Sequence, residues 1–305
     1  EQIGTSVAFC MDILNKDVEE PNYIIELRLE AVKYLHNLIG VYPQIFNEGE
    51  NVGSKIPLLL DSLSNSFKVI DIDLYTALHN LLFTIVKKFY IFVPHFIQTI
   101  DLYVRNGFGL FETNPRCVNV SIYFWKEVAN YEYSLREKEE IRKKLGQHCF
   151  PDHHSPLNPC ISDAVIESLI PPLVEFMEKI DIKDTAVKDI HNNLQPSMFS
   201  TVTIAALFQI NPEKVFSLLK DRINEDFQKE QWTIIHAAIL MIYSIADEPK
   251  NDNVGLFIAS HFDTILKATE PSQCPRLRET SLFVVGLVIK NYPQIITQAR
   301  DSTDP

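Results

Sequence analysis

The chain has 305 residues, of which 46% are hydrophobic and 22% charged, a balance that excludes a wholly disordered protein. Its 28 basic and 40 acidic residues give a net charge of −12, which disfavours nucleic acid as a direct partner because like charges repel. Only 9 glycines occur, which disfavours an all-β or doubly wound fold and favours helices joined by short connections. A basic peptide or protein surface is the natural complement of such an acidic chain.

The five cysteines are scattered, at positions 10, 117, 149, 160 and 274. An odd, dispersed set does not predict a disulfide framework and indicates a reducing compartment. No apolar run reaches the roughly 18 residues that a membrane span requires, so no membrane partner is predicted. Because the chain starts at Glu1 rather than Met and stops in a polar tail, we expect it to be part of a longer protein.

Six windows carry apolar residues at helical spacing around a small central residue. In chain order they are 27–39, 73–86, 117–128, 198–208, 232–245 and 278–289, centred on Ala31, Ala77, Asn119, Ser200, Ala238 and Ser281. The centres are separated by 46, 42, 81, 38 and 43 residues. Four of these five separations agree with the period of HEAT and armadillo arrays, and the fifth is close to two periods. The sequence therefore predicts an all-α, HEAT-repeat α-solenoid.

A second set of apolar helices lies between these windows, at 56–63, 93–104, 166–177, 212–219 and 255–266. Pairing a first helix A with a second helix B gives about six repeats, at 1–45, 46–90, 91–145, 161–209, 210–248 and 250–295. Pro94, Pro212 and Pro275 lie where a helix start tolerates proline, and Asn211 is a predicted N-cap. Because one helix pair cannot cover its own apolar faces, we expect the pairs to stack as a single array.

The least regular part of the chain lies between the third and fourth repeats. Residues 132–144 would place charged side chains on every side of a helix. This pattern predicts a solvated helix end or an exposed connection. Residues 147–160 are rich in Pro, His and Asn and predict a loop. A second long loop, 181–196, separates the two helices of the fourth repeat, and long loops often carry function.

The first of these loops contains a weak candidate for a zinc site, formed by Cys149, His153, His154 and Cys160. The spacing matches no standard zinc finger, so an exposed polar loop is the favoured interpretation. His36 and His79 occupy equivalent places in YLHNL and ALHNL, which indicates a role in repeat packing rather than catalysis. No glycine-rich phosphate loop and no HExxH motif occurs. We therefore predict no enzyme activity, no cofactor and no metal.

Four stretches resemble the importin-β (karyopherin-β) family of nuclear transport receptors. Residues 77–104, ALHNLLFTIVKKFYIFVPHFIQTIDLYV, are followed by SIYFWKEVANYE at 121–132, where Phe124–Trp125 stands at the place of that family's Phe–Trp pair. Residues 230–249 and 275–293 are similar to later helices of the family. The resemblance covers most of the chain at low identity, in matching order and spacing. It implies the central HEAT repeats of such a receptor.

The resemblance implies a role in nuclear import, in the cytoplasm and nucleus and at the nuclear pore. Members of the family bind FG-repeat nucleoporins, the GTP form of the GTPase Ran, and an importin-α-type adaptor or basic cargo. The positions that fall where the family binds FG repeats are Val7, Met11, Ile56, Leu60, Phe96, Ile97, Ile100 and Asp101. Ordinary core between repeats is the competing interpretation for each of them.

The loop in the fourth repeat departs from the family pattern. Where the family has a run of aspartates followed by Trp-Asn-Pro, this chain reads DTAVKDIHNNLQP at 184–196, with Leu194 at the place of the tryptophan. The resemblance implies that Asp181, Asp184 and Asp189 contact Ran or the adaptor.

Two other functions stay open from the sequence. A HEAT scaffold of a phosphatase or cytoskeletal regulator would be favoured if the concave face lacked an acidic strip. A metal-dependent or hydrolytic enzyme would have to be built around the Cys/His loop.

Overall fold

The computed structural model describes residues 2–16, 23–47, 53–144, 160–180, 195–247 and 251–295. These residues form α-helices and short 3₁₀ turns, with no β-strand among them. In chain order the helices are α1 Gln2–Asn15, α2 Tyr23–Val41, α3 Ile56–Leu63, α4 Ile72–Lys88, α5 Ile97–Asn106, α6 Pro115–Lys144, α7 Ile166–Glu178, α8 Pro196–Ile210, α9 Pro212–Asp226, α10 Trp232–Ala246, α11 Asp252–Lys267 and α12 Pro275–Asn291. The prediction of an all-α chain is confirmed.

The chain forms two compact units, residues 1–161 and 162–305. Odd-numbered helices are the first, or A, member of each predicted pair, and even-numbered helices are the second, or B, member. The predicted repeat boundaries, and the single array that joins all six pairs, stay predictions.

In the first unit, helices B pack side by side, because α4 contacts both α2 and α6. Helices A pack against them at both ends, since α1 contacts α2 and α5 contacts α6, while α3 contacts its fellow helix A, α1. The interior is filled by large side chains such as Trp125, Tyr75 and Phe46, all fully buried. Each helix therefore depends on its neighbours for the cover of its apolar face.

In the second unit, α10 occupies the centre. It contacts α8 and α12 among helices B, and also α7, α9 and α11. Its sequence, WTIIHAAILMIYSIA, is apolar on almost every side, as expected for a helix surrounded by others. Eleven of its fifteen residues are buried.

The predicted helix starts are confirmed at two prolines and wrong at a third. Pro212 and Pro275 occupy the first positions of α9 and α12. The Asn211 side chain caps α9 by accepting a hydrogen bond from the Lys214 N–H at 3.1 Å. Pro94 instead lies inside a 3₁₀ turn at Tyr90–His95, and α5 begins only at Ile97.

Residues 132–144 form the second half of α6, the longest helix described at 30 residues. Lys138, Glu140 and Lys144 are exposed, as predicted for a solvated helix end. Glu132, which belongs to α6, is different, because its side chain is fully buried against the turn that carries Tyr90. No helix in the described part of the chain has the length and apolar character needed to cross a lipid bilayer.

Candidate binding surfaces

In the first unit, every helix A keeps a large apolar side chain exposed. Phe9 on α1 is 63% exposed, Leu58 on α3 61% and Leu102 on α5 59%. Each lies outside the buried stripe of its helix, so it does not contribute to the core. Scattered exposed apolar residues are ordinary, and the helices B of this unit also expose Tyr34 and Val41 on α2 and Tyr123 and Ile141 on α6. The exposed residues of the helices A are therefore candidates for an apolar binding surface, not evidence of one.

An open groove of about 660 Å³ lies beside Phe9, between α1 and α2. Phe9 and Tyr34 form its exposed aromatic walls, and the remaining lining comes from Thr5, Ser6 and Cys10. Cys10 is buried, and burial raises the pKa of its thiol. A protonated thiol is a small apolar lining group rather than a nucleophile.

The residues predicted to bind FG repeats divide into two groups in the structure. Ile56, Leu60, Phe96 and Ile100 are buried and belong to the core between helices. The half-buried members are Val7, Met11, Ile97 and Asp101, and Asp101 accepts a hydrogen bond from Arg105 Nε at 2.6 Å.

Periodicity identified the core stripe of each helix A but not its exposed flank. Phe9, Leu58 and Leu102 were therefore missed as candidates. In the sequence they could have been identified as large apolar residues one or two positions away from the buried stripe of each helix A.

The helices A of the second unit carry an aromatic cluster. The rings of Phe216 on α9 and Phe257 on α11 meet edge to face with centroids 5.3 Å apart. His261 lies 4.7 Å from Phe257, and its Nε2 is 2.7 Å from Asn224 Oδ1. Leu256, beside Phe257, is 69% exposed. This surface combines apolar side chains with the hydrogen-bonded polar pair His261 and Asn224.

Charge is distributed unequally between the two kinds of helix. The six helices A contain five basic and twelve acidic residues, whereas the six helices B contain fourteen basic and nine acidic residues. In the second unit, α8 and α10 contain no Asp, Glu, Lys or Arg at all. Basic residues therefore outnumber acidic ones on the helices B, which does not favour a basic partner there.

A buried serine and histidine lie together in the first unit. Ser121 Oγ is 3.3 Å from His79 Nε2 and 3.3 Å from the Tyr75 hydroxyl. Burial lowers the pKa of His79 to about 4 and raises that of Tyr75 to about 12, so both side chains are neutral near pH 7. All three side chains are buried, so no substrate reaches the pair. The cluster packs α4 against α6, in line with the packing role predicted for His79.

The predicted loop residues fall largely outside the described residues. This applies to Asp181, Asp184 and Asp189, and to Cys149, His153 and His154 of the zinc candidate. Cys160 is described and is buried. Among the residues that the structure describes, no group of three His, Cys, Asp or Glu side chains is placed to hold a metal ion.

No family model and no curated protein matches the sequence. Solved structures do match. The chain superposes on Kap95p from a structure of its complex with RanGDP with a TM-score of 0.74 and 16% identity, covering 95% of this chain and 31% of that one. For the Kap95:Nup1 complex the TM-score is 0.71 at 15% identity, with 93% and 30% covered. For importin-β in an ammonium sulfate condition it is 0.71 at 13% identity, with 96% and 32% covered.

These matches settle the fold. The chain has the HEAT-repeat fold of importin-β, and it spans about a third of the length of the structures that it matches. The predicted likeness to importin-β is confirmed at the level of the fold.

Proposed function

We propose that the chain is a segment of a nuclear transport receptor that binds FG-repeat nucleoporins, the GTP form of Ran, and an adaptor or cargo protein. The observation that carries this proposal is the fold likeness to importin-β structures over 93–96% of the chain. Two of those structures are complexes, one with RanGDP and one with Nup1. Such a segment would act in the cytoplasm and nucleus and at the nuclear pore, without enzyme activity.

The exposed flank of the helices A in the first unit is the proposed FG surface. Phe9 and Tyr34 would hold the ring of an FG phenylalanine in the groove between α1 and α2. Val7, Met11 and Ile97 would contribute half-buried lining, and Leu58 and Leu102 would extend the surface. The core residues Ile56, Leu60, Phe96 and Ile100 would support it from below. One buried phenylalanine contributes about 1.5–3 kcal/mol at most, so several weak sites would act together.

The FG surface can be tested with an immobilised peptide that carries several FG repeats. We expect Phe9→Ser and Leu102→Ser each to weaken binding several-fold, and the double variant to weaken it more than tenfold, because each removes apolar contact area. Ile289→Ser, at a 51% exposed position on helix α12, is the matched control and should bind as the original chain does. Equal losses in the control and in the Phe9 and Leu102 variants would contradict the assignment of this surface.

The loop aspartates are proposed to contact Ran in its GTP form. Replacing Asp181, Asp184 and Asp189 together by Asn removes three charges from one loop, and we expect weaker binding of GTP-loaded Ran with unchanged FG binding. A chain that binds neither FG peptides nor GTP-loaded Ran would overturn the transport proposal as a whole.

A HEAT scaffold of a phosphatase or cytoskeletal regulator is the second candidate. The specific observation that favours it is the excess of basic over acidic residues on the helices B. This candidate requires no affinity for FG repeats or Ran, so the same two binding measurements distinguish it from a transport receptor.

A further inference from the structure

An ion cluster joins α7 and α9 in the second unit. The guanidinium group of Arg222 on α9 lies between two carboxylates, those of Glu178 at the end of α7 and Asp226 at the end of α9. Arg222 Nη2 and Nε lie 2.5 and 2.8 Å from Glu178 Oε1, whereas Nε lies 3.2 Å from Asp226 Oδ1. One cation therefore serves two acids, and its shorter contacts go to Glu178.

Asp226 is the member of this cluster that is removed from water. Its side chain is 2% exposed, against 14% for Glu178 and 44% for Arg222. Its Oδ2 atom is buried and has no hydrogen-bond partner among the described residues. A buried carboxylate is unfavourable unless it is well paired and its oxygens accept hydrogen bonds, and Asp226 meets these conditions on one oxygen at most.

The position of Asp226 in its helix adds to this disadvantage. Asp226 is the last residue of α9, and the C-terminal end of a helix carries partial negative charge. Glu178 and the adjacent Glu225 repel a second negative charge, while Arg222 attracts it. Because Arg222 is partly exposed, water and salt weaken that attraction.

The other helices packed on α9 bring no further charge against Asp226. Helix α8 has no titratable side chain, and α10 has His236, which faces Thr280 of α12, and Tyr243. On α11, His261 contacts Asn224 of α9.

The remaining ion pairs of α7 and α9 lie away from Asp226. Glu175 of α7 pairs with Lys179 on the surface. Lys214 pairs with Asp163 and Glu167 at the first turn of α9, at the opposite end of the helix from Asp226. Burial is accordingly the largest influence on Asp226, and it raises the pKa of this carboxyl group to about 6.

We propose that Asp226 is a proton-binding site whose occupancy decides how Arg222 is divided between α7 and α9. A proton removes the buried charge without opening the packing around it. With the proton bound, Asp226 is neutral and Arg222 pairs with Glu178 alone. Without it, the two carboxylates compete for one guanidinium group, and the end of α9 holds a poorly compensated charge. The contact between α7 and α9 is therefore more stable in weak acid than at alkaline pH. This inference does not depend on FG or Ran binding.

The first test compares the full chain with Asp226→Asn, in which a neutral amide of the same shape replaces the carboxyl group. Because the folded-state pKa of Asp226 lies above that of the unfolded chain, the original chain loses stability as the pH rises through about 6. The unfolding equilibrium constant of the original chain, divided by that of Asp226→Asn, should therefore rise about tenfold between pH 5 and pH 7.5. Both chains contain His79 and His236, so the effect of the histidines cancels in this ratio. Asp221→Asn, at an exposed position of the same helix, is the matched control, and its ratio should stay constant.

The second test follows the carboxyl carbon of Asp226 by ¹³C NMR, which needs no substitution at this residue. We expect a titration midpoint near pH 6 in the original chain. Glu178→Gln removes a repelling charge and leaves Arg222 to Asp226, so the midpoint should fall. Arg222→Gln removes the attracting charge, so the midpoint should rise. A residue with a purely structural role in packing would not produce these opposite shifts.

Three outcomes would overturn the inference. The first is a ratio for Asp226→Asn that does not change between pH 5 and pH 7.5. The second is a carboxyl midpoint near pH 4, the ordinary value for an aspartate in water. The third is a shift of the midpoint in the same direction in Glu178→Gln and Arg222→Gln. If Asp226→Asn does not fold, the carboxyl titrations of the original chain and of the other two variants decide the question.

Discussion

At the scale of single residues, buried polar side chains join neighbouring elements of the first unit. The carboxylate of Glu132 accepts hydrogen bonds from the Tyr90 hydroxyl and from the Ile161 N–H, both at 2.5 Å from Oε1. Its own charge is removed from water, but two strong donors compensate for that loss. Burial and the neighbouring Glu132 charge raise the pKa of Tyr90, so the phenol stays protonated and continues to donate.

Glu132→Ala should lower the free energy of unfolding by about 2–5 kcal/mol, because the Tyr90 hydroxyl and the Ile161 N–H both lose their acceptor in a buried place. Tyr90→Phe removes one donor and keeps the other bond, so we expect a loss of about 1–1.5 kcal/mol. Urea unfolding followed by circular dichroism measures both. Equal losses for the two variants would show that Glu132 does not hold Ile161.

Glycine is required at position 107 because neighbouring side chains lie close to its Cα atom, and not because its backbone angles are unusual. A Cβ atom there would lie 2.0 Å from Ser121 Oγ and 2.4 Å from the Tyr75 hydroxyl oxygen. Gly107→Ala should therefore lower the free energy of unfolding by about 1–3 kcal/mol through overpacking.

Gly109→Ala is the matched control, because nothing lies within 4 Å of the added atom. It should leave the urea midpoint almost unchanged. Combining Gly107→Ala with Ser121→Ala, which removes the closer hydroxyl, should recover part of the loss. A Gly107→Ala chain as stable as the Gly109→Ala chain would contradict the proposed crowding.

At the scale of elements, Asn211 both starts one helix and links it to another. Its Oδ1 caps α9, while its Nδ2 donates to Asp163 Oδ1 at 2.8 Å, in the 3₁₀ turn Ser162–Ala164 before α7. Lys214, one turn into α9, donates to the Asp163 carbonyl at 3.1 Å. Its ion pair with Glu167 is largely solvated and adds little stability.

Asn211→Ala should lower the free energy of unfolding by more than Asn251→Ala. Asn251 caps α11 through the Val254 N–H at 3.3 Å, so its loss costs about 1 kcal/mol. Asn211→Ala loses a similar cap and also the bond to Asp163, so we expect about 2 kcal/mol.

Asn211→Asp separates the two roles of Asn211. The variant keeps the cap but places a second carboxylate against Asp163. At neutral pH its free energy of unfolding should therefore lie between that of the original chain and that of Asn211→Ala. Urea unfolding of the variants measures the order. Identical costs of Asn211→Ala and Asn251→Ala would show that the link to Asp163 contributes nothing.

At the scale of the whole molecule, each unit buries a neutral histidine. His79 lies in the first unit, with its pKa lowered by burial to about 4. His236 lies in the second, where burial and the Arg276 charge lower its pKa to about 3. The Thr280 hydroxyl donates to the Arg276 carbonyl at 3.1 Å, so it accepts from His236 Nε2–H at 3.0 Å. That bond assigns the proton of the neutral ring to Nε2.

Both histidines make the fold sensitive to acid. Between pH 6.5 and their folded-state values, the unfolded chain binds protons that the folded chain does not, so stability is full above pH 6.5 and falls below it. Asp226 acts in the opposite direction, because burial raises its pKa to about 6 and protonation then favours the folded state. From pH 7 to pH 5 we expect a net loss of a few kcal/mol.

Urea midpoints at pH 7 and pH 5 measure this loss. His236→Gln keeps a donor for Thr280 and cannot be protonated, so the pH dependence should be clearly smaller in that variant. An unchanged pH dependence would mean that His236 is not the group that titrates.

Much of the fold could be predicted from the sequence, because helical periodicity is a local property. The apolar stripes of 73–86 and 232–245 coincide with α4 and α10, and the spacing of the windows identifies a HEAT array. Caps and helix starts such as Asn211 and Pro212 were predictable for the same reason, since they depend on neighbouring residues alone. Pro94 was misplaced, because packing around Val93 and Phe96 extends a 3₁₀ turn past it.

The candidate surfaces could be predicted less well, because burial depends on which helix faces which. The predicted FG residues Ile56, Leu60 and Ile100 share the apolar character of Leu58 and Leu102, yet only the latter two are exposed. Glu132 belongs by composition to a charged run but is buried where Tyr90 and Ile161 meet it.

The sequence by itself determined the helices, their pairing period and the total charge, since each follows from residue order. Only the tertiary structure decided which apolar side chains reach solvent and that Glu132 is buried. Those properties arise when helices distant in sequence cover one another, and a contact between distant helices has no local signal.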